Sequence, residues 1–382
     1  MVDSKTFQSR ICPYFNKCGG CTSMHIPYEE QLEEKRKILA IQLGVKEEFI
    51  EVFFDSPLGY RNRMDFVFHK KGLGFRKKND WKTIVDIKNC DIANLRVNEL
   101  LEEVRNFFFK QGEELDIFDI HEKIGTFKYC VIRTPENNSS ISFVLNKEST
   151  KVLGAIEKIK LFSKKTTADN VLVTYVSPDR DVSINDDLVV IKGSSFLEQE
   201  YLGKKFKFSS QGFFQNNTVM ANKMLEHVKK LISSYSKEKK IQLLDLYGGV
   251  GTFGIVNSDE FQKTTIVELA EDSIEAAKQN IKLNNIDNVE ALVLDAKLLR
   301  KVKLEKPLFV ITDPPRAGMD SKTIRQLNSL EPEVIIYISC NPNQLAKDIP
   351  KLIDYELKSA ALFDLFPQTP HMEAVVELVK KK

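Results

Sequence analysis

The sequence predicts an α/β protein in two parts, a doubly wound parallel sheet in the C-terminal portion preceded by an α+β domain. Three observations carry this expectation. From Ile241 onward, strand and helix signals alternate with short links, the pattern of a parallel sheet with helices on its faces. Before Lys205, short runs of alternating polarity are separated by Gly, Asn, Pro and Asp, the punctuation of an antiparallel sheet. The length of 382 residues accommodates two domains at the usual ~150 residues each. A boundary near Lys205 divides the chain into 1–205 and 206–382.

In the N-terminal part, strand patterns fall at Met64 to Phe68, Tyr129 to Arg133, Ser140 to Val144 and Asn170 to Tyr175. Helical spacing over Tyr28 to Leu43 supplies a helix to flank that sheet. In the C-terminal part, β-branched and apolar runs predict strands at Ile241 to Leu246, Thr264 to Val267, Val289 to Leu294, Leu308 to Thr312 and Val334 to Ser339. Between the second and third, Ile274, Ala277 and Ile281 form the apolar stripe of a helix over Asp272 to Leu283. The last two apolar runs, Ala360 to Phe366 and Ala374 to Val379, have no helix-length segment between them, so they are expected to pair antiparallel at one end of the sheet. Five parallel strands with an antiparallel terminal pair is the Rossmann-like layout of S-adenosylmethionine-dependent methyltransferases.

Composition narrows the setting. With 42% hydrophobic and 29% charged residues the chain is ordinary globular material, and it contains no apolar stretch near the ~20 residues of a membrane span. Its N-terminus lacks the apolar core of a secretory signal, so a cytoplasmic location and no membrane partner are expected. A formal charge of +2 announces no diffuse polyanion binding. Any basic surface must be local, and the candidates are Lys35-Arg36-Lys37, the segment from Tyr60 to Lys78, and Lys204 to Lys207.

The six cysteines argue for metal binding or catalysis over a disulfide framework in such a location. Cys12, Cys18 and Cys21 form C-x5-C-x2-C, and Cys90 is the obvious fourth member. Four thiolates suit tetrahedral zinc or an iron–sulfur cluster, and three ligands in one loop with a distant fourth lean towards [4Fe–4S]. Cys130, inside an apolar strand, reads as core. Cys340 ends an apolar strand and is followed at once by Asn341-Pro342, a position that suits a nucleophile at the ligand-binding edge of a parallel sheet. Packing is the alternative for a lone cysteine. The turn Gly248-Gly-Val-Gly251 follows the first strand of the sheet, with Asp245 at its entrance, and frees the backbone to approach a nucleoside. Glu268 and Asp295 end the next two strands, suited to ribose hydroxyls and to the adenine respectively.

These motifs, with Gln211-Gly-Phe-Phe-Gln215-Asn-Asn217, Asp313-Pro-Pro-Arg-Ala-Gly318, Ser339-Cys340-Asn-Pro and Phe366-Pro-Gln-Thr-Pro-His-Met-Glu373, occur in an order that resembles the RNA uracil-C5 methyltransferases. Those enzymes form 5-methyluridine in tRNA and rRNA, and many carry a [4Fe–4S] cluster. The resemblance spans Cys12 to Glu373. It implies that Gln215, Tyr247, Glu268, Asp295 and Asp313 contact S-adenosylmethionine, that Cys340 is the nucleophile and Glu373 the general base, and that Cys12, Cys18, Cys21 and Cys90 hold the cluster. Three departures stand out: Gly248 replaces a common Cys, Thr252 stands where some members have Asn, and the chain begins at the cysteine cluster with no preceding β-barrel. RNA recognition is therefore expected from the N-terminal half, and the T-loop uridine of tRNA, position 54, is favoured over 23S rRNA as substrate. No obligate protein partner is evident. Phe213 and Phe214 are candidates for stacking on an extruded base, one of the two being expected in the core. Two other functions compete: an iron–sulfur redox protein, and a non-catalytic RNA-binding module. The first does not need Cys340 with Glu373, and the second would make the intact cofactor residues superfluous.

Overall fold

The computed structural model describes residues 12–110, 114–235 and 241–381. The chain forms two compact units. One comprises Met1–Tyr28, Ser56–Glu198 and Phe208–Thr218, and the other Glu29–Asp55, Gln199–Lys207 and Val219–Lys382. The single boundary expected at Lys205 is thus replaced by repeated crossings. Helix α1 (Tyr28–Leu43) and strand β1 (Ile50–Phe53) precede the first unit's sheet in the chain yet belong almost wholly to the second unit. Leu39, Ala40 and Ile50 join that unit's core, so α1 does not flank the N-terminal sheet as its position in the sequence suggested.

The first unit is built on seven strands, β2 (Arg63–His69), β3 (Gly72–Lys77), β4 (Asp80–Asp86), β5 (Phe127–Arg133), β6 (Ser140–Asn146), β7 (Asn170–Val176) and β8 (Leu188–Lys192), in the order β4-β3-β2-β5-β6-β7-β8. Helix α2 (Leu95–Phe108) lies in sequence between β4 and β5, and α3 (Val152–Ser163) between β6 and β7. The sheet is mixed where an antiparallel one was expected, because β6 and β7 run parallel across the α3 crossover. Strands β5 and β6 are buried along their whole length. Phe108 on α2 meets Phe68, Phe127, Phe143 and Phe162 at ring distances of 5.1 to 6.3 Å, an aromatic core that joins both helices to the sheet.

Strands β9 (Phe196–Tyr201) and β10 (Lys204–Ser209) form a hairpin, and α4 (Thr218–Ser233) follows. The second unit contains β11 (Gln242–Leu246), α5 (Thr252–Val256), β12 (Lys263–Glu268), α6 (Glu271–Leu283), β13 (Val289–Val293), β14 (Leu308–Thr312), α7 (Ser321–Leu330), β15 (Val334–Ser339), α8 (Pro342–Asp348), β16 (Tyr355–Phe363) and β17 (Glu373–Lys380). Its eight strands take the order β1-β16-β17-β15-β14-β11-β12-β13. The five expected parallel strands are present, and β16 and β17 pair antiparallel as expected. Strand β1 adds an unforeseen parallel edge on β16. Among the described residues no helix is long and apolar enough to cross a membrane.

Candidate active site

Chain order reverses direction between β11 and β14, so the crevice beyond their C-terminal ends is the switch point where open α/β sheets take ligands. Asp245 sits near the end of β11, and Gly254 N, within the short helix α5, donates to its Oδ2 at 2.7 Å. Its Oδ1 is buried with no hydrogen-bond partner among the described residues. The turn between them is tight: Tyr247, Gly249 and Gly251 have φ of 62°, 53° and 86°. A non-glycine residue in this region is uncommon and marks a site worth attention. A Cβ on Gly248 would lie 2.7 Å from Ile266 Cγ2, so the cysteine common here in similar enzymes would require Ile266 to shift.

Burial pushes the Asp245 carboxyl up to about 7, with Glu268 adding repulsion. Asp313, just beyond β14, is likewise raised to about 7 by burial and then by Asp245. Glu268 accepts from Leu269 N, Ala270 N and Gly249 N at 2.7, 2.9 and 3.3 Å, which fixes its carboxylate at the end of β12. Asp295 accepts from Lys297 N at 2.9 Å. A glycine turn, an orphaned carboxylate oxygen and two mutually repelling acids suit a cationic ligand bearing hydroxyl groups, and S-adenosylmethionine has that chemistry.

One strand along, the register Ser339↔Ala374 places the end of β15 against the start of β17, so Cys340 and Glu373 become neighbours across an antiparallel pair. Their electrostatics confirm the proximity. Burial and then the Glu373 charge raise the Cys340 thiol, while Arg316 acts in the opposite sense and hydrogen-bonds to it. Glu373 is buried and lifted well above its ordinary value, first by burial and then by Asp313, with Arg316 again opposing. The sequence named Arg316 only as part of a motif. Its role is visible once β14, β15 and β17 are adjacent.

The loops that carry these groups are tied down individually. Asn341 caps α8 by accepting from Gln344 N, and its Nδ2 donates to Arg316 O at 2.9 Å, joining the loop after Cys340 to the loop after Asp313. Asp348, fully buried, accepts from Met319 N at 3.1 Å and from the Tyr337 hydroxyl at 2.9 Å. The segment from Asp364 to Met372, which leads into Glu373, is anchored by α1. Lys35 Nζ donates to Asp364 Oδ1 at 2.7 Å and to Phe366 O at 3.3 Å, and Gln31 makes a reciprocal pair with Gln368 at 3.0 and 3.2 Å. Gln368 has φ of 67°, a conformation this pair holds in place.

Gln215 lies in the first unit, in a loop built around buried Arg133. The guanidinium donates to Ser210 O and Gly212 O at 2.9 and 2.7 Å, and Asn62 Nδ2 reaches Gln215 O at 3.3 Å. Phe214 stacks on Phe208 at 3.9 Å in the core, whereas Phe213 is 78% exposed, which resolves the two adjacent aromatics.

Cys12, Cys18, Cys21 and Cys90 also belong to the first unit. Gly19 N donates to Arg76 O, and Cys18 bridges to Lys77, so their loop is laid along the end of β3. Asn98 brackets Cys90, accepting from its N–H and donating to its carbonyl. Burial lifts Cys21 to about 12, with repulsion from Cys90, Cys18 and Cys12 adding; burial lifts Cys90 to about 11, with Cys18 and Cys12 contributing. The thiols disfavour one another's ionisation, a repulsion a bound cation would relieve. As the side chains stand, no group of three or more His, Cys, Asp or Glu among the described residues is arranged to hold a metal ion. In the basic segment, Arg63 is consumed by Asp65 and Arg76 by Asp181, which leaves fewer free cations than the sequence suggested.

The chain is similar to known proteins over nearly its whole length. Residues 27–381 match the family described as tRNA (Uracil-5-)-methyltransferase. A tRNA (uracil(54)-C(5))-methyltransferase of Pyrococcus abyssi is 33% identical, covering 96% of this chain and 85% of the relative. An uncharacterised RNA methyltransferase of Caldanaerobacter subterraneus is also 33% identical, over 97% of this chain and 84% of its own length. The crystal structure of the Pyrococcus abyssi tRNA (uracil-54, C5)-methyltransferase in complex with S-adenosyl-L-homocysteine superposes with a TM-score of 0.80 at 30% identity, covering 97% of this chain and 88% of that one. Matched to the family model over residues 27–381 and to relatives over nearly its whole length, the chain belongs to the tRNA (uracil-5-)-methyltransferase family and is an RNA (uracil-C5-)-methyltransferase.

Proposed function

We propose that this enzyme methylates C5 of the T-loop uridine, position 54, of tRNA through a covalent adduct on Cys340. The juxtaposition of Cys340 with Glu373 and Arg316 carries the reading. Uracil C5 is a weak carbon nucleophile. Addition of the Cys340 thiolate to C6 moves electron density onto C5 and O4 and makes C5 enolate-like. Arg316, beside the thiol, stabilises the thiolate form. S-adenosylmethionine would supply an electrophilic methyl group and leave as S-adenosylhomocysteine, and by family resemblance Tyr247, Glu268, Asp295 and Asp313 would hold it. Once C5 carries both hydrogen and methyl, Glu373 takes the proton, the C5–C6 double bond reforms and the thiolate leaves. Its raised proton affinity suits a base that must accept a carbon-bound proton. A base within folded RNA must be extruded to reach these groups. We assign a [4Fe–4S] cluster to Cys12, Cys18, Cys21 and Cys90 as a structural group. Methyl transfer from a sulfonium to an enolate moves no net electrons.

The names of the Pyrococcus relatives support tRNA over rRNA. Incubating purified enzyme and S-adenosylmethionine with total RNA, then mapping 5-methyluridine, tests the reading. Modification is expected at tRNA position 54 and nowhere in 23S rRNA. Methylation confined to rRNA would replace the substrate, and RNA carrying 5-fluorouridine that yields no adduct stable to denaturation would remove the covalent mechanism.

A further inference from the structure

The first unit contains a pocket of about 200 Å³ that none of the catalytic residues line. Ile84, Ile117 and Phe118 give it an apolar wall, while Lys70, Lys82 and Lys128 bring cations to it. Lys128 is buried, its Nζ 4.2 Å from the Phe118 ring centroid and donating to two carbonyls, Ser177 O and Arg180 O. The two lining acids are already engaged. Asp181 takes Arg76 and the Tyr129 hydroxyl, and Asp119 accepts from His121 N and Glu122 N. Lys70 and Lys82 form no salt bridge among the described residues, although the charge of Lys70 acts on Asp119.

Beside the pocket stands Trp81, which is 54% exposed although tryptophan is the largest side chain the protein has to bury. Three lining residues surround its indole: Arg76 at 5.6 Å, Lys82 at 5.9 Å and His121 at 6.3 Å. A flat exposed ring with a guanidinium and an ammonium over it complements a ligand that carries an aromatic plate and an anion a short distance apart. An unstacked nucleotide has that form, and base–aromatic stacking tolerates any base. We propose that this surface holds one nucleotide of the RNA away from the methylated uridine, its base stacked on Trp81 and its phosphate engaged by Lys70 and Lys82. The inference rests on RNA being the substrate.

Trp81 is the only tryptophan in the chain, so its emission reports on the site directly. Intact enzyme titrated with tRNA should lose Trp81 emission to saturation. Trp81→Ala should bind tRNA about ten-fold more weakly and Trp81→Phe within about three-fold of the unaltered enzyme, the difference being the aromatic plate. Inorganic polyphosphate should compete for the site without quenching. Unchanged emission at saturating tRNA, equal affinity in Trp81→Ala, or equal quenching by polyphosphate or an acidic peptide would each overturn the proposal. The same samples assayed for 5-methyluridine separate the two failures: methylation without quenching removes this site alone, and quenching without methylation of any RNA removes the proposed reaction alone.

Discussion

Cys340, Glu373, Arg316, Asp313 and Asp245 form a chain of groups whose charges influence one another, and the chemistry follows from which are ionised. Arg316 favours the anionic forms of both Cys340 and Glu373. With Arg316→Met, adduct formation on 5-fluorouridine RNA, which stops before proton removal, should need a pH about one unit higher, the lower end of what a neighbouring cation does. Stopped-time gels across pH measure this; an unmoved profile would show that Arg316 acts only on the RNA. In Glu373→Gln the methyl group should arrive but the proton should stay, so mass spectrometry should find enzyme covalently attached to methylated RNA. Only free, unmodified RNA would give Glu373 an earlier role. The two aspartates also make a stability prediction. Their folded values near 7 lie above the ordinary 3.8, so the folded state holds protons the unfolded chain releases. Stability of the ligand-free enzyme should therefore fall as pH rises from about 4 to about 7, and Asp313→Asn should flatten that decline in thermal melts.

At the scale of elements, α1 acts as a brace for the catalytic loop. The Lys35–Asp364 pair is buried on both sides, so removing one partner strands a charge. Lys35→Met should cost about 3–5 kcal/mol in urea unfolding, and Lys35→Met combined with Asp364→Leu should recover most of it. Because Lys35 also holds Phe366 O, the double variant should keep substrate affinity while turning over more slowly. Recovery of full turnover in that variant would reduce the pair to a packing role.

Across the whole molecule, two features of the first unit await solution tests. Enzyme purified without oxygen should be brown with about four irons per chain, and Cys90→Ser should lose them; stoichiometric zinc would replace the assignment. Phosphate binding is expected along the basic segment. Neutralising Lys70, Lys71, Lys77 and Lys78 together should weaken tRNA binding and reduce the slope of log affinity against log salt, by roughly 0.7–0.9 for each phosphate no longer neutralised. Binding of S-adenosylmethionine should be unchanged. An unaltered slope would place the RNA path elsewhere.

Much of the catalytic unit was legible in the sequence because its signals are local. Each parallel strand is a continuous apolar run, the turn at Gly248 to Gly251 is contiguous, and Cys340 and Glu373 sit at recognisable strand ends. What escaped depends on partners far apart along the chain. Strand β1 is only four residues long and acquires meaning from β16, more than 300 residues later. Helix α1 was predicted with its correct bounds and given to the wrong unit, since helical spacing declares a helix but not what its buried face meets. Strands β6 and β7 were each foreseen, but their parallel pairing is a property of the crossover between them. Arg316 beside Cys340, Lys35 on Asp364 and Trp81 over its pocket became visible only through tertiary structure, because side-chain electrostatics and stacking surfaces are set by three-dimensional neighbours that no spacing rule encodes.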